Sequence, residues 1–93
     1  MRTIDRTNQF KRDYKRELKG QHRATLEGDL VEALKVLVRD VPLAERYHDH
    51  ALTGDWKNFR DCHIKPDLVL IYQKPDDEIL QLVRLGSHSE LGL

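Results

Sequence analysis

The run Leu68-Val69-Leu70-Ile71-Tyr72 limits what this chain can fold into more than any other stretch of its sequence. Its consecutive apolar side chains project to both faces of a strand, so both faces must be covered by protein. Two turn sequences flank the run, Lys65-Pro66-Asp67 before it and Pro75-Asp76-Asp77 after it. We therefore predict a central strand over residues 68–73, with antiparallel neighbours over residues 57–64 and 79–85.

The first half of the chain has a helical period instead. Phe10, Tyr14 and Leu18 recur every four residues after a cap at Thr7 or Asn8, and Gly20 ends the predicted helix. A leucine stripe predicts a second helix over residues 25–39, although an interior Gly28 costs about 1 kcal/mol and favours a later start. Residues 2–5 are a candidate for a short strand. The layout predicts one α+β domain over residues 1–93, with an N-terminal helical hairpin packed on a small antiparallel β-sheet.

Composition excludes several classes of protein. Cys62 is the single cysteine of 93 residues, so neither an intramolecular disulfide nor a cysteine-cluster zinc site is possible. No run approaches the roughly 20 apolar residues that span a bilayer, and the start lacks the apolar stretch of a signal peptide. We expect a cytoplasmic protein with no membrane partner.

The charges are unevenly distributed, although the formal net charge is zero. Residues 1–23 carry eight Lys or Arg and three acidic residues, which gives this segment +5 and the remainder −5. A basic helical segment can follow the phosphates of a nucleic acid. A solvated helix face with i,i+4 ion pairs explains the same charges equally well.

Strand parity suggests that polar residues of the second half meet. Asp61 and His63 project to the same face of their predicted strand, and Leu80, Leu82 and Arg84 share one face of the last strand. A bend at Gly86 would turn His88 back toward the sheet. We therefore expect His63, Arg84 and His88 to converge, with His48 and His50 supplied by the preceding loop.

Such a cluster is compatible with three interpretations. His48 and His50, with His63 or His88 and the carboxylate of Asp67, could bind a metal, although a nearby arginine would repel a cation. Histidines could instead cleave RNA, one removing the proton of a ribose 2′-hydroxyl and another protonating the leaving 5′-oxygen. A cation would then steady the charged phosphorane. The third interpretation is structural, with His63 and Asp61 bonded to backbone at a strand entrance.

Three sequence blocks occur in order along the second half: HALTGDW at residues 50–56, RDCHIKPD at residues 60–67 and GSHSEL at residues 86–91. Together they resemble the YafQ branch of the RelE/ParE toxin superfamily, the toxin halves of bacterial type II toxin–antitoxin pairs. The resemblance covers residues 47–91, and the preceding helix pair agrees with the family fold in size and order.

The resemblance implies a ribosome-dependent endoribonuclease that cuts mRNA without a metal or other cofactor. By this analogy His88 donates a proton to the leaving 5′-oxygen, and Arg84 binds the scissile phosphate. His50, His63 and Asp67 contribute base and positioning roles, and which group is the base stays open.

Three further positions in or beside the blocks raise separate expectations. Orienting His63 or the strand end is a sufficient role for Asp61. Trp56 is predicted to pack the loop of the site, with base stacking as the alternative. Family members commonly carry an aromatic residue four positions after the last histidine, where this chain has Gly92. Leu93 could replace the packing of that aromatic but not its stacking, so activity or codon preference could differ.

The resemblance also implies partners. They are the ribosome with its mRNA, and a cognate antitoxin that neutralises the toxin and gives the complex its DNA-binding part. The basic first helix would contact ribosomal RNA through Lys11, Arg12, Lys15 and Arg16. Two alternatives stay open. A ParE-like toxin would poison DNA gyrase, which needs no histidine set, and an inactive homologue that only binds an antitoxin is supported by Gly92.

Overall fold

The structure, a computed structural model, describes residues 1–93 and confirms the α+β class. The helices are α1 (Asn8–Leu18), α2 (Leu26–Leu37) and α3 (His88–Leu91). The strands are β1 (Thr3–Arg6), β2 (His50–Ala51), β3 (Arg60–Lys65), β4 (Leu68–Gln73) and β5 (Ile79–Gly86). Within the loop between α2 and β3, two short 3-10 turns flank β2, at Glu45–Tyr47 and Gly54–Trp56.

The five strands form one sheet in the order β1-β5-β4-β3-β2. The pairs β2–β3, β3–β4 and β4–β5 are antiparallel, as the turn sequences on either side of β4 predict for that strand. The sheet as a whole is mixed and not only antiparallel, because β1, the candidate short strand at residues 2–5, pairs in parallel with β5. These two strands are far apart in sequence, so no hairpin turn forces them into opposite directions.

The central strand β4 is buried on both faces, as its unbroken apolar sequence predicts. Leu68, Leu70 and Tyr72 belong to the larger core beneath α1 and α2, on what we call the helix face. Val69 and Ile71 project to the opposite side, the second face, where they pack with residues of α3 and of the β2–β3 loop. The second face therefore has a much thinner apolar cover than the helix face.

Helix α1 begins where the sequence predicts but buries a different set of residues. Thr7 is its N-cap, and the Thr7 hydroxyl accepts a hydrogen bond from the Phe10 N–H at 3.0 Å. Leu18, predicted to continue the apolar stripe, is 40% exposed. The buried stripe is Phe10, Asp13 and Glu17, at spacings of three and four residues. Two acidic residues therefore face the protein in a helix whose outer surface is basic.

Helix α2 begins at Leu26, ahead of Gly28, so the later start that the glycine favoured is wrong. Gly28 lies on an exposed part of the helix, while Leu26, Leu30, Ala33 and Leu37 are buried. Packing of this leucine stripe over the sheet outweighs the cost of one interior glycine. None of the three helices has the length and apolar character needed to cross a membrane.

Strand β5 contains one irregularity that decides which way its arginine points. Its register against β4 shifts after Leu82, which leaves Val83 as an extra residue. The prediction that Leu80, Leu82 and Arg84 share one face is therefore wrong. Leu80 and Leu82 belong to the core of the helix face, whereas Arg84 is paired with Ile71 and lies on the second face.

Helix α1 also covers the edge of β5 beyond the end of β1. The Thr7 hydroxyl donates to the Val83 carbonyl at 2.8 Å. Farther along, the Leu85 N–H donates to Asp13 at 3.0 Å, and Arg16 donates to the Leu85 carbonyl at 2.8 Å. Side chains of a helix thus satisfy backbone groups that an edge strand would leave unpaired.

Truncation of β4 tests its place at the centre of both cores. Because Leu70 is fully buried, we expect Leu70→Ala to lower the free energy of unfolding by about 2–5 kcal/mol. Urea denaturation monitored by circular dichroism measures this decrease. Val31→Ala on the exposed side of α2 is the matched control, with a change within about 0.5 kcal/mol. Equal effects of the two substitutions would contradict the burial of β4.

Candidate active site

Three histidine rings meet on the second face of the sheet. His63 on β3 lies between the other two, with its ring centroid 5.3 Å from that of His48 and 5.0 Å from that of His88. His48 reaches the cluster from the loop, where its backbone has a left-handed φ of 48°. The structure thus brings His63 and His88 together, as the strand pattern predicted, with His48 supplied by the loop as also expected.

His88 is held by Asp67 from the turn between β3 and β4. The Asp67 Oδ1 lies 2.7 Å from the His88 Nδ1 and 3.1 Å from the backbone nitrogen of the same residue. These hydrogen bonds keep the pKa of Asp67 below its ordinary value, so the carboxylate is ionised at neutral pH. Because an ionised carboxylate only accepts hydrogen bonds, the His88 Nδ1 carries the proton and Nε2 is left without a tie to Asp67.

His50 and Asp61 are direct partners across the β2–β3 pair. The His50 Nδ1 lies 3.1 Å from the Asp61 Oδ1 but only 2.6 Å from the carbonyl oxygen of His48, to which it donates. Asp61, 3% exposed, is therefore left with a buried Oδ1 at which no donor is aimed. Burial raises the pKa of Asp61, although the neighbouring His50, His63 and His88 act in the opposite direction.

The ring of His63 has a different environment from that of His88. Burial lowers the pKa of His63, and the adjacent His88 ring lowers it further. His63 also lines an open cleft of about 730 Å³. The cleft is bounded mostly by basic and histidine side chains, which are Arg46, His48, His50, His63 and Lys65. The site therefore combines the neutral imidazole of His63 with a cleft that is lined mostly by basic and histidine side chains.

Arg84 lies on the same face but is already engaged by a buried carboxylate. Its Nε donates to Asp13 at 2.7 Å and its Nη2 at 3.3 Å, which leaves Nη1 without a hydrogen bond inside the protein. Ile71 separates Arg84 from Asp61 in the strand register, so the two lie about 10 Å apart across the second face.

The four basic residues assigned to RNA contact do not share one environment. Lys11, Arg12 and Lys15 are exposed on α1, and none of them hydrogen-bonds to a histidine of the cluster. Arg16 instead bonds to Asp13, Glu17 and Glu90. Its charge is neutralised within the protein, so the exposed basic surface of α1 is formed by the other three.

The structure also places the tryptophan and the final glycine. The Trp56 ring meets that of Phe59 edge to face, with centroids 5.4 Å apart, as the packing role predicts. Gly92 has a left-handed φ of 71° and ends α3, a conformation that an aromatic residue adopts only at a cost. Leu93 is 41% exposed, so it does not replace the packing of the missing aromatic.

The metal interpretation lacks a ligand set. No group of three or more His, Cys, Asp or Glu side chains lies close enough together to hold a metal ion. His50 directs its Nδ1 at a backbone carbonyl, and His88 directs its own at Asp67. These two Nδ1 atoms are thus occupied by hydrogen bonds, and the remaining ring nitrogens belong to no cluster of three possible ligands.

Sequence reasoning missed Asp13 as the partner of Arg84. The signal was present, because Asp13 and Glu17 fall three and seven residues after Phe10, on the stripe that faces the protein. It was hidden by the usual exposure of acidic residues on helices.

The fold and the site together define a class, the RelE-like toxins, in which a helix pair covers one face of a small sheet. The family model described as bacterial toxin of type II toxin–antitoxin system, YafQ, matches residues 2–92. The mRNA interferase toxin YafQ of Escherichia coli K12 is 36% identical over 91 residues, which are 97% of this chain and 95% of that protein.

Two solved structures are similar over nearly their whole length. A copper-bound mutant toxin from Helicobacter pylori is 41% identical with a TM-score of 0.86, over 98% of this chain and 99% of that one. YafQ in the Escherichia coli DinJ–YafQ toxin–antitoxin complex is 35% identical with a TM-score of 0.82, over 97% and 96%. This chain belongs to the YafQ family of toxins of type II toxin–antitoxin systems.

Asp61 provides a test of the site's cost to stability. Folding raises the pKa of Asp61, so the protonated carboxyl group costs the fold nothing below its ordinary pKa of 3.8. As the pH rises through the raised pKa, the buried group ionises and the free energy of unfolding falls. We therefore expect Asp61→Asn to raise the free energy of unfolding at pH 7 by about 1 kcal/mol. Near pH 4 the two proteins should differ little.

Urea denaturation at several pH values measures this difference. Asp55→Asn, in the exposed 3-10 turn, is the control with no expected change. A decrease in the stability of Asp61→Asn at pH 7 would show that the Asp61 carboxylate is well paired.

Proposed function

We propose that this protein is an mRNA interferase, an endoribonuclease that cuts mRNA on the ribosome and so stops translation. The observation that carries the proposal is the contact of the His63 and His88 rings, with Asp67 fixed on His88 Nδ1. Two imidazoles at this separation are suited to opposite proton transfers across one phosphodiester. The relative from Escherichia coli, which is named an mRNA interferase toxin, supports the same assignment.

His88 is the general acid in this proposal. Asp67 fixes the ring and its Nδ1 proton, so Nε2 is the atom that faces a substrate. When the ring is doubly protonated, Nε2–H donates to the 5′-oxygen that leaves. Asp67 does not meet the substrate in this scheme and acts by holding His88.

His63 is the general base. A base must be neutral to accept a proton, and burial lowers the pKa of His63, so it is neutral at physiological pH. It removes the proton of a ribose 2′-hydroxyl, and that oxygen attacks the adjacent phosphorus. The bond to the 5′-oxygen breaks as His88 protonates it, and a 2′,3′-cyclic phosphate remains. His50 and Asp61, beside His63 on the sheet, position it.

In this scheme, Arg84 and the basic side chains of the cleft stabilise the negative charge of the phosphate. The free Nη1 of Arg84 is available to a phosphate oxygen, where it stabilises the charge that develops as the 2′-oxygen attacks. On the other side of His63, Arg46 and Lys65 line the open cleft. Arg46 pairs with Glu32 at 3.1 Å and Lys65 pairs with Asp29. An RNA chain that follows this cleft therefore competes with two acidic residues of α2. Every proton transfer in this scheme uses protein side chains, so no metal or cofactor takes part.

The remaining assignments concern partners. The exposed Lys11, Arg12 and Lys15 of α1 contact ribosomal RNA, while Arg16 is withheld by its ion pairs. A cognate antitoxin neutralises the protein and supplies DNA binding to the complex. Such a partner is supported by the Escherichia coli toxin, which is seen with the antitoxin DinJ. With these partners, the protein acts in the cytoplasm.

Removal of the general acid tests the reaction. We expect His88→Ala to lower the rate of mRNA cleavage on translating ribosomes by about 10²–10⁴-fold, because the leaving oxygen loses its proton donor. Primer extension on the cut message measures the rate. Ser89→Ala, at the next and exposed position of α3, should cut at the wild-type rate.

Growth distinguishes the competing functions. Wild-type toxicity from folded His88→Ala would refute the catalytic assignment. Arrested replication with intact mRNA would favour a ParE-like gyrase poison instead. An induced wild-type protein that neither arrests growth nor cuts RNA would indicate an inactive antitoxin-binding homologue.

Removal of charge from α1 tests the ribosome surface. We expect Lys11→Ala combined with Lys15→Ala to weaken ribosome binding while leaving the cleavage rate at saturating ribosomes unchanged. The slope of log affinity against log salt concentration should fall by about 0.7 to 0.9 for each RNA phosphate that the variant no longer neutralises. Lys35→Ala with Arg39→Ala removes the same charge from α2 and its C-terminal end as a control, and equal weakening there would assign the effect to net charge alone.

A further inference from the structure

Asp13 is the one carboxylate of α1 that is almost fully buried, at 1% exposure. Its two oxygens accept from Arg84 Nε at 2.7 Å, from Arg84 Nη2 at 3.3 Å, from Arg16 Nη1 at 2.9 Å and from the Leu85 N–H at 3.0 Å. Each oxygen therefore has two donors. A buried carboxylate that is bonded in this way is built into the structure and is not a surface charge that happens to be covered.

The charge on Asp13 is kept at neutral pH. Burial alone would raise the pKa of Asp13, but the hydrogen bonds of Arg84 and Leu85 and the charges of Arg84 and Arg16 hold it below its ordinary value. A buried ion pair is a poor source of stability, because an apolar pair of similar volume often serves the fold equally well. Stability alone, from holding α1 on β5, therefore does not explain this buried ion pair.

The ion pair fixes the orientation of the Arg84 side chain. The extra residue Val83 places the Arg84 side chain on the second face. Two of its three guanidinium nitrogens, Nε and Nη2, donate hydrogen bonds to Asp13. A two-point contact fixes the plane of the guanidinium as well as its position. The remaining Nη1 is thereby presented in one direction, where a free arginine side chain would sample many.

A second arm of the network reaches the helix that carries His88. Arg16, bonded to Asp13, also bonds to the Leu85 carbonyl at 2.8 Å and to Glu90 at 3.0 Å. Glu90 in turn accepts from the Ser87 N–H at 2.8 Å, while the Ser87 hydroxyl accepts from the Glu90 N–H at 3.0 Å. This capping box is what begins α3, and α3 has only four residues.

Gly86 shows how closely this arm is packed. A Cβ at Gly86 would lie 2.8 Å from Arg16 Nη2 and 3.2 Å from Glu90 Oε1. Gly86 does not adopt the left-handed conformation that a glycine bend would use, and a side chain at this position would instead push the ends of Arg16 and Glu90 aside. The turn between β5 and α3 is thus fitted around the Arg16–Glu90 pair.

We propose that Asp13 is a positioning residue of the active site, which fixes Arg84 directly and the His88 helix through Arg16 and Glu90. The inference rests on the proposed function, because it takes Arg84 and His88 as the residues that meet the RNA. It adds a residue from α1, outside the three sequence blocks, to the machinery of the site.

The substitution Asp13→Asn tests the direct arm. It keeps the size of the side chain but removes the charge and replaces one acceptor by a donor. We expect kcat for cleavage on ribosomes to fall about tenfold to a hundredfold, with KM changed much less, because ribosome binding uses the other face of α1. Asp77→Asn, in the exposed turn before β5, is the matched control and should behave as wild type.

A double-mutant cycle separates positioning from a general loss of structure. If Asp13 acts through Arg84, the fall in kcat caused by Asp13→Asn should be much smaller in an Arg84→Ala background, where only the Arg16–Glu90 arm is left to lose. Effects that multiply in full in the double variant would overturn the direct arm, as would wild-type kcat in Asp13→Asn alone.

A measurement without RNA keeps the test independent of the proposed function. In nitrogen–proton spectra, the Arg84 Nε–H should give a resolved, exchange-protected signal in the wild type that disappears in Asp13→Asn. If the wild-type protein proves to cut no RNA, the proposed function fails and this signal still decides the positioning. An Arg84 signal that is unchanged by the substitution would overturn the inference.

Glu90→Gln covers the case in which Asp13→Asn does not fold. Its side chain is 38% exposed, so the fold should survive. We expect a smaller fall in kcat that disappears in a His88→Ala background, with a shifted His88 ring signal. Wild-type kcat and an unchanged His88 signal would overturn the second arm.

Discussion

The open edge of β5 is the constraint on which the rest of this structure depends. Strand β1 covers β5 only as far as Leu82, so the following backbone groups need partners from elsewhere. Helix α1 supplies them from Thr7, Asp13 and Arg16. The helix must therefore lie with an acidic stripe inward, and its lysines are left outside. One backbone requirement thus sets both the basic surface of α1 and the anchor of Arg84.

The two faces of the sheet differ in how much apolar packing they hold. The helix face holds the larger core, whereas the second face has a thin apolar cover shared by Leu91 and the loop around Trp56. A buried acceptor without a donor, such as the Asp61 Oδ1, is tolerated there because stability comes from the other face. The histidine cluster lies on this second face, which has the smaller apolar core.

The sequence predicted elements whose physics is local. Strand β4 was predictable because an apolar run between two Pro-Asp turns has few other solutions, and α1 because its Thr7 cap is explicit. The extra residue Val83 was not, since period-2 alternation carries no mark of a bulge, and the face of Arg84 was mispredicted with it. Pairing of β1 with β5 depends on distant residues. The site histidines were selected by three blocks along the chain more than by strand parity, and their catalytic roles stay predictions.

The pairing of the first strand with the last has a consequence for how the protein folds during its synthesis. Asp13 and Arg84 are 71 residues apart, and Thr3 of β1 precedes its partner Ile79 of β5 by 76 residues. During synthesis α1 emerges with its acidic stripe unsatisfied, and no local contact can complete the sheet. The histidine pair forms only after β5 and α3 have been translated. The site is therefore completed late, because the topology delays the pairing of His63 with His88 until β5 and α3 have been made.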